Sequence, residues 1–115
     1  MDEFEEEGGR YKPYQSVYGN GIALTLRMHL KTNEILLFPY TNFYPTKLTK
    51  QKANYFTLNL TGGSLNLILH LKNFDKEERK KFVQTLADHQ MERIFEYSDD
   101  VMGTNESIIS KIEIF

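Results

Sequence analysis

The chain has 115 residues, 40% of them hydrophobic, 13% aromatic and 26% charged, with no Cys, no Trp and a formal charge of −2. That length suits one domain with one core, and the supply of Phe, Tyr, Leu and Ile excludes global disorder. The lack of Cys excludes disulfides, thiol nucleophiles and Cys-type zinc sites. Met1 to Glu7 is acidic, the opposite of the basic start of a signal peptide. The longest apolar run, Ile35-Leu36-Leu37-Phe38, is far too short to cross a bilayer. Together these features lead to the expectation of a cytoplasmic protein.

Charge is distributed unevenly. Residues 1–10 sum to −4, residues 27–87 to +6 and residues 88–115 to −5. A basic middle between acidic ends bears on surface fields and partners rather than on fold. Residues 1–10, with Glu5, Glu6, Glu7, Gly8 and Gly9, read as a disordered acidic tail, and residues 11–115 as a single α+β domain.

Ile22 to Leu30 alternates, with Ile22, Leu24, Leu26, Met28 and Leu30 on one side, so the spacing predicts a strand with one buried face. Lys31 to Glu34 suits a hairpin turn, and Ile35 to Phe38 is the returning strand, ended by Pro39. Phe38 to Lys52 reads as an aromatic and basic loop. Phe56, Leu58 and Leu60 then share one face, Gly62 and Gly63 supply a turn, and Leu65, Leu67, Leu69 and Leu71 form the matching face of the next strand.

At Phe74 the period changes. Asp75 is a good N-cap and Glu78 stands three residues later, as in a capping box. Phe82, Val83, Leu86, Ala87, Met91, Ile94 and Phe95 recur at helical spacing and predict an amphipathic helix from about residue 76 to residue 96. Lys76, Arg79, Lys80 and Lys81 crowd its N-terminus, the unfavourable end for cations. A polar connection, Ser98 to Ser107, leads to a β-branched final strand, Ile108 to Phe115. The expected fold class is α+β: a small antiparallel β half-barrel or sandwich of consecutive hairpins, closed by one long C-terminal amphipathic helix, plus a final strand.

No Ser sits in a nucleophile elbow. His29 and His70 both fall on the polar phase of their strands, and with Glu34 they form the one metal-dependent alternative, although ordinary surface histidines have the same pattern. His89, on the predicted helix, reads in the same way. Asp99 to Glu106 departs from the spacing of a calcium loop, and Gly19-Asn20-Gly21 precedes a strand rather than a helix, so it reads as a turn. No cofactor is expected. The most suggestive segment runs from Phe38 to Lys52, where Tyr40 and Tyr44 precede Lys47, Lys50 and Lys52. Rings beside ammonium groups stack bases, hold phosphates and meet acidic lipid headgroups, although Lys-rich edges also serve to block edge pairing.

The stretch Tyr55 to Leu71, then Asp75, then Phe82-Val83-x-x-Leu86, resembles the last hairpin and capping helix of bacterial pleckstrin-homology-like domains. Lys47-x-x-Lys50-x-Lys52 is similar to the basic inositol-phosphate motif of eukaryotic members. It departs in ending on Lys instead of Arg and in lying between hairpins. With no catalytic constellation and an uneven charge, the expected function is a non-catalytic, pleckstrin-homology-like interaction domain that binds a protein partner or an anionic ligand through a sheet edge or basic–aromatic surface, with Tyr40, Tyr44, Lys47, Lys50 and Lys52 as the binding residues. A membrane surface and nucleic acid rank behind these partners. A homodimer completed by the C-terminal strand is the structural alternative.

Overall fold

A computed structural model describes residues 11–19, 21–62, 65–97 and 106–115. The expected tail (residues 1–10), Asn20, the turn residues Gly63 and Ser64, and the acidic stretch 98–105 lie outside the described residues. In chain order the elements are β1 (Tyr14–Ser16), β2 (Thr25–His29), β3 (Ile35–Pro39), a 3-10 turn (Tyr40–Asn42), β4 (Phe43–Lys52), β5 (Tyr55–Gly62), β6 (Leu65–Lys72), α1 (Lys76–Ala87), β7 (Met91–Phe95) and β8 (Ile108–Ile114). The strands form two four-stranded sheets, ordered β1-β7-β2-β3 and β4-β5-β6-β8. The second is antiparallel throughout, and in the first β7 runs parallel to β2.

The α+β class stands, with two corrections to the expected architecture. The helix is neither C-terminal nor the closure of a half-barrel: it lies between β6 and β7, and two strands follow it. The segment expected to be a loop, Phe43 to Lys52, is a strand that pairs with β5 and absorbs two register shifts, between Pro45 and Lys47 and between Lys50 and Lys52.

The helix begins as its sequence dictates. Asp75 accepts from the Glu78 N–H (2.8 Å) and the Glu78 side chain accepts from the Asp75 N–H (3.2 Å), which completes the capping box. It ends early, at Ala87. His89 takes a left-handed conformation (φ 56°), its N–H donates to Leu86 C=O, and the Gln90 N–H donates to Thr85 C=O. This pair of bonds is a Schellman stop, with His where Gly is usual. Met91, Ile94 and Phe95 extend the helical spacing only because β7 buries residues irregularly instead of alternately. Arg79, at the unfavourable helix end, stacks its guanidinium 3.8 Å from the centre of the Phe56 ring and donates to Phe74 C=O (3.1 Å).

The core collects Leu26 and Met28 from β2, Leu58 and Leu60 from β5, Leu69 and Leu71 from β6, and Phe82 and Leu86 from α1. Ile22 and Leu24, expected to face inward, are exposed, and Ala23 is buried in their place. The alternation of the region therefore starts only at Thr25. Two polar groups stitch the sheets together. Tyr11 donates to Phe95 C=O (2.6 Å) and accepts from the Ile109 N–H (3.0 Å), and burial pushes its phenol pKa up. The Glu96 carboxylate accepts from the Lys31 N–H (2.9 Å) and the Ile112 N–H (2.8 Å).

Candidate functional site

In an antiparallel pair, directly opposed residues point to the same side of the sheet. β5 buries Phe56, Leu58 and Leu60, so Tyr55, Thr57, Asn59 and their cross-strand partners form the outer face. Lys47 lies opposite Asn59, and Lys52 and Lys72 lie on either side of Tyr55. Lys111 lies opposite His70. Among the described residues, four lysines from three strands thus share this face, and Glu113 is the one acid that lines its central hollow.

That hollow is an open concavity of about 480 Å³, bordered by Lys47, Gln51, Tyr55, Asn59, His70 and Glu113 among others. A chain of hydrogen bonds crosses its floor. His70 Nε2 lies 2.7 Å from Glu113 Oε1, and Tyr55 Oη lies 2.5 Å from His70 Nδ1. An ionised carboxylate only accepts, so Nε2 carries a proton toward Glu113, and in the neutral form of the ring Nδ1 is the acceptor for the Tyr55 O–H. Each member lies on a different strand, so pairing of β5, β6 and β8 is what assembles the chain. The Lys52 ammonium sits 5.4 Å from the centre of the Tyr55 ring.

The hydrogen bond from His70, aided by Lys111 at 3.5 Å, holds the Glu113 carboxyl below the usual carboxylate range. A group lowered in this way contributes stability that is fully present above its unfolded pKa and is lost as pH falls through the lowered value. Replacing His70 by Ala is expected to move the Glu113 titration upward, read by carbon NMR of the carboxyl group during acid titration. An unmoved midpoint would show that the bond is not the cause.

The sequence-predicted binding residues separate. Lys47 and Lys52 lie on the outer face. Lys50, opposite Phe56, points to the other side. Tyr40 is not a surface residue: it is 3% exposed, stacks on His89 (ring centres 4.5 Å apart) and donates to Met91 C=O. The backbone of Tyr44 lies in β4 opposite Thr61, and its side chain lies outside what is described. The two histidines of the metal alternative are in different sheets. His29 packs against Phe95 and lies 3.4 Å from Arg93, while both ring nitrogens of His70 have protein partners. Among the described residues no group of three or more His, Asp or Glu is placed to hold a metal ion. Sequence reading missed Tyr55 and Glu113. The polar phase of β5 marks Tyr55, but nothing in the sequence marks the β6–β8 register that brings Glu113 to His70.

The C-terminal strand pairs with β6 of its own chain, and Tyr97 N–H donates to Ile109 C=O from the end of β7. No helix among the described residues is long and apolar enough to cross a membrane. No protein-family model, curated protein or solved structure matches this chain.

Proposed function

We propose that the chain is a cytoplasmic, non-catalytic binding domain, pleckstrin-homology-like in role, which takes a small oxyanion (a phosphate ester or a carboxylate) on the outer face of the second sheet. The observation that carries this reading is that Lys47, Lys52, Lys72 and Lys111 share one sheet face, where Lys47 borders a polar hollow, in a chain whose total charge is −2. Solvated sheet faces are ordinarily polar, but ordinary ones mix both signs. Among the described residues of this face one sign dominates, and the Glu113 carboxylate is engaged by His70 and Lys111. The Tyr55–His70–Glu113 chain fixes the phenol, whose oxygen is left as an acceptor for a ligand hydroxyl, while the lysines meet the charge.

An ammonium about 4 Å from an anion contributes about 1 kcal/mol in water and more at a protein surface. Reversing Lys47 and Lys52 together to Glu is therefore expected to weaken binding of inorganic phosphate and of citrate by about 100-fold. Lys50→Glu, on the opposite side of β4, should leave it within about twofold of the parent. The affinities are read by NMR titration. Equal losses from the double variant and from Lys50→Glu would remove the outer face as the site.

A further inference from the structure

Each sheet has two edges, and three of the four are guarded. β1 is only three residues long. β4 carries Pro45, Lys47, Lys50, Lys52 and two register shifts. β8 is bridged through Ile109 to Glu96. Short strands, lysines, proline and irregular register are the ordinary defences against pairing with another chain. β3, the last strand of its sheet, has none of the charged defences: it reads Ile35-Leu36-Leu37-Phe38-Pro39, with Ile35 52% and Leu37 62% exposed.

The direction of its backbone groups follows from the ladder. Leu30 N–H donates to Glu34 C=O at one end of the β2–β3 pair and Tyr40 N–H donates to Leu24 C=O at the other, with unbroken register between them. Hydrogen-bonded pairs alternate in an antiparallel ladder, so Glu34, Leu36, Phe38 and Tyr40 bond toward β2. The N–H and C=O of Ile35 and Leu37 point outward, with the C=O of Pro39, which has no N–H.

This pattern is self-complementary. We propose that β3 pairs antiparallel with β3 of a second copy of this chain, about a two-fold axis through Leu37. The two Leu37 residues exchange both of their bonds. Each Ile35 N–H meets the Pro39 C=O of the other copy, so every outward donor of the strand is satisfied and the missing proline donor is not needed. Side chains then meet as Leu37 on Leu37 and Ile35 on Pro39, all apolar. A dyad moved to Ile35 would instead set Leu37 against the turn at Asn33, which is left-handed (φ 73°). Charge does not oppose the pairing. The nearest cation on that face, Arg27, lies one strand inward, so the two copies of it are about 14 Å apart at ordinary strand spacing, beyond the screening length of roughly 8 Å in physiological salt. An interface this small belongs to the weak, concentration-dependent class.

Sedimentation equilibrium of the full chain, run from about 1 μM to about 1 mM, tests the pairing. The mass is expected to rise from one subunit to two and no further. Leu37→Lys and Leu37→Glu, each setting like charges at the dyad, should weaken the dimer about tenfold or more, and an equimolar mixture of the two should restore it. Both variants change an exposed side chain, and circular dichroism checks their fold. In the parent chain, exchange of the Ile35 and Leu37 amides should slow as concentration rises, a readout that needs no variant. A mass of one subunit throughout, a Leu37→Lys dimer as stable as the parent, or assembly beyond two copies would overturn the proposal.

Discussion

Replacing Phe82 by Ala is expected to destabilise the fold by about 4 kcal/mol, within the range for removing a buried ring. Phe82 is fully buried on α1, with the rings of Tyr14 (5.1 Å, 90°) and Phe74 (5.6 Å, 84°) meeting it edge-on. Its partners come from β1, the approach to the helix and the core, so no single neighbour can move into the space without leaving its own sheet or helix. Domains of this size hold about 5–15 kcal/mol in all, so the loss would take much of the total. Urea denaturation measures it. A change below about 1 kcal/mol would show that the helix does not depend on this ring for its seat.

The second large effect is expected at Glu96, where one carboxylate takes two backbone N–H groups, one from the β2–β3 turn at Lys31 and one from β8 at Ile112. Hydrogen bonds to a charged acceptor are worth about 1.5–3 kcal/mol each, and a donor left unpartnered adds its own desolvation cost. Glu96→Ala is expected to cost about 3 kcal/mol. Glu96→Gln should cost nearly as much despite its matching shape, because its NH₂ group would face a backbone N–H. Chemical denaturation of both variants gives the comparison. A Gln variant as stable as the parent would show that the carboxylate's two bonds do not hold the sheets together.

In β5 and β6 the alternation read from the sequence and the burial agree, whereas in Ile22 to Leu30 they agree only from Thr25 onward. Phe56, Leu58 and Leu60, then Leu67, Leu69 and Leu71, fill the core as their spacing requires, and Asp75 with Glu78 marks the helix start. The helix end was hidden for two physical reasons. The left-handed stop is a histidine, and an irregular strand happens to bury Met91, Ile94 and Phe95 at helical intervals. β4 was hidden by its two register shifts and by Pro45, which break the alternation that identifies a strand. Of the site, Lys47 and Lys52 were legible as cations. Plain alternation separates Lys47 from Lys50, but the separation of Lys52 from Lys50 depends on the register shift between them, and Tyr40 looks like a surface aromatic until its hydroxyl is seen to close on Met91 C=O. The histidine pairing failed because β2 and β6 belong to different sheets.

The most direct test of the proposed role is an NMR titration of the parent chain with inorganic phosphate, following backbone amides and the His70 ring. Saturable shifts are expected to cluster at Lys47, Lys52, Tyr55, Asn59, His70 and Lys111, the outer face of the second sheet. Shifts confined to the lysines at the start of α1, or none that saturate, would contradict the proposed role.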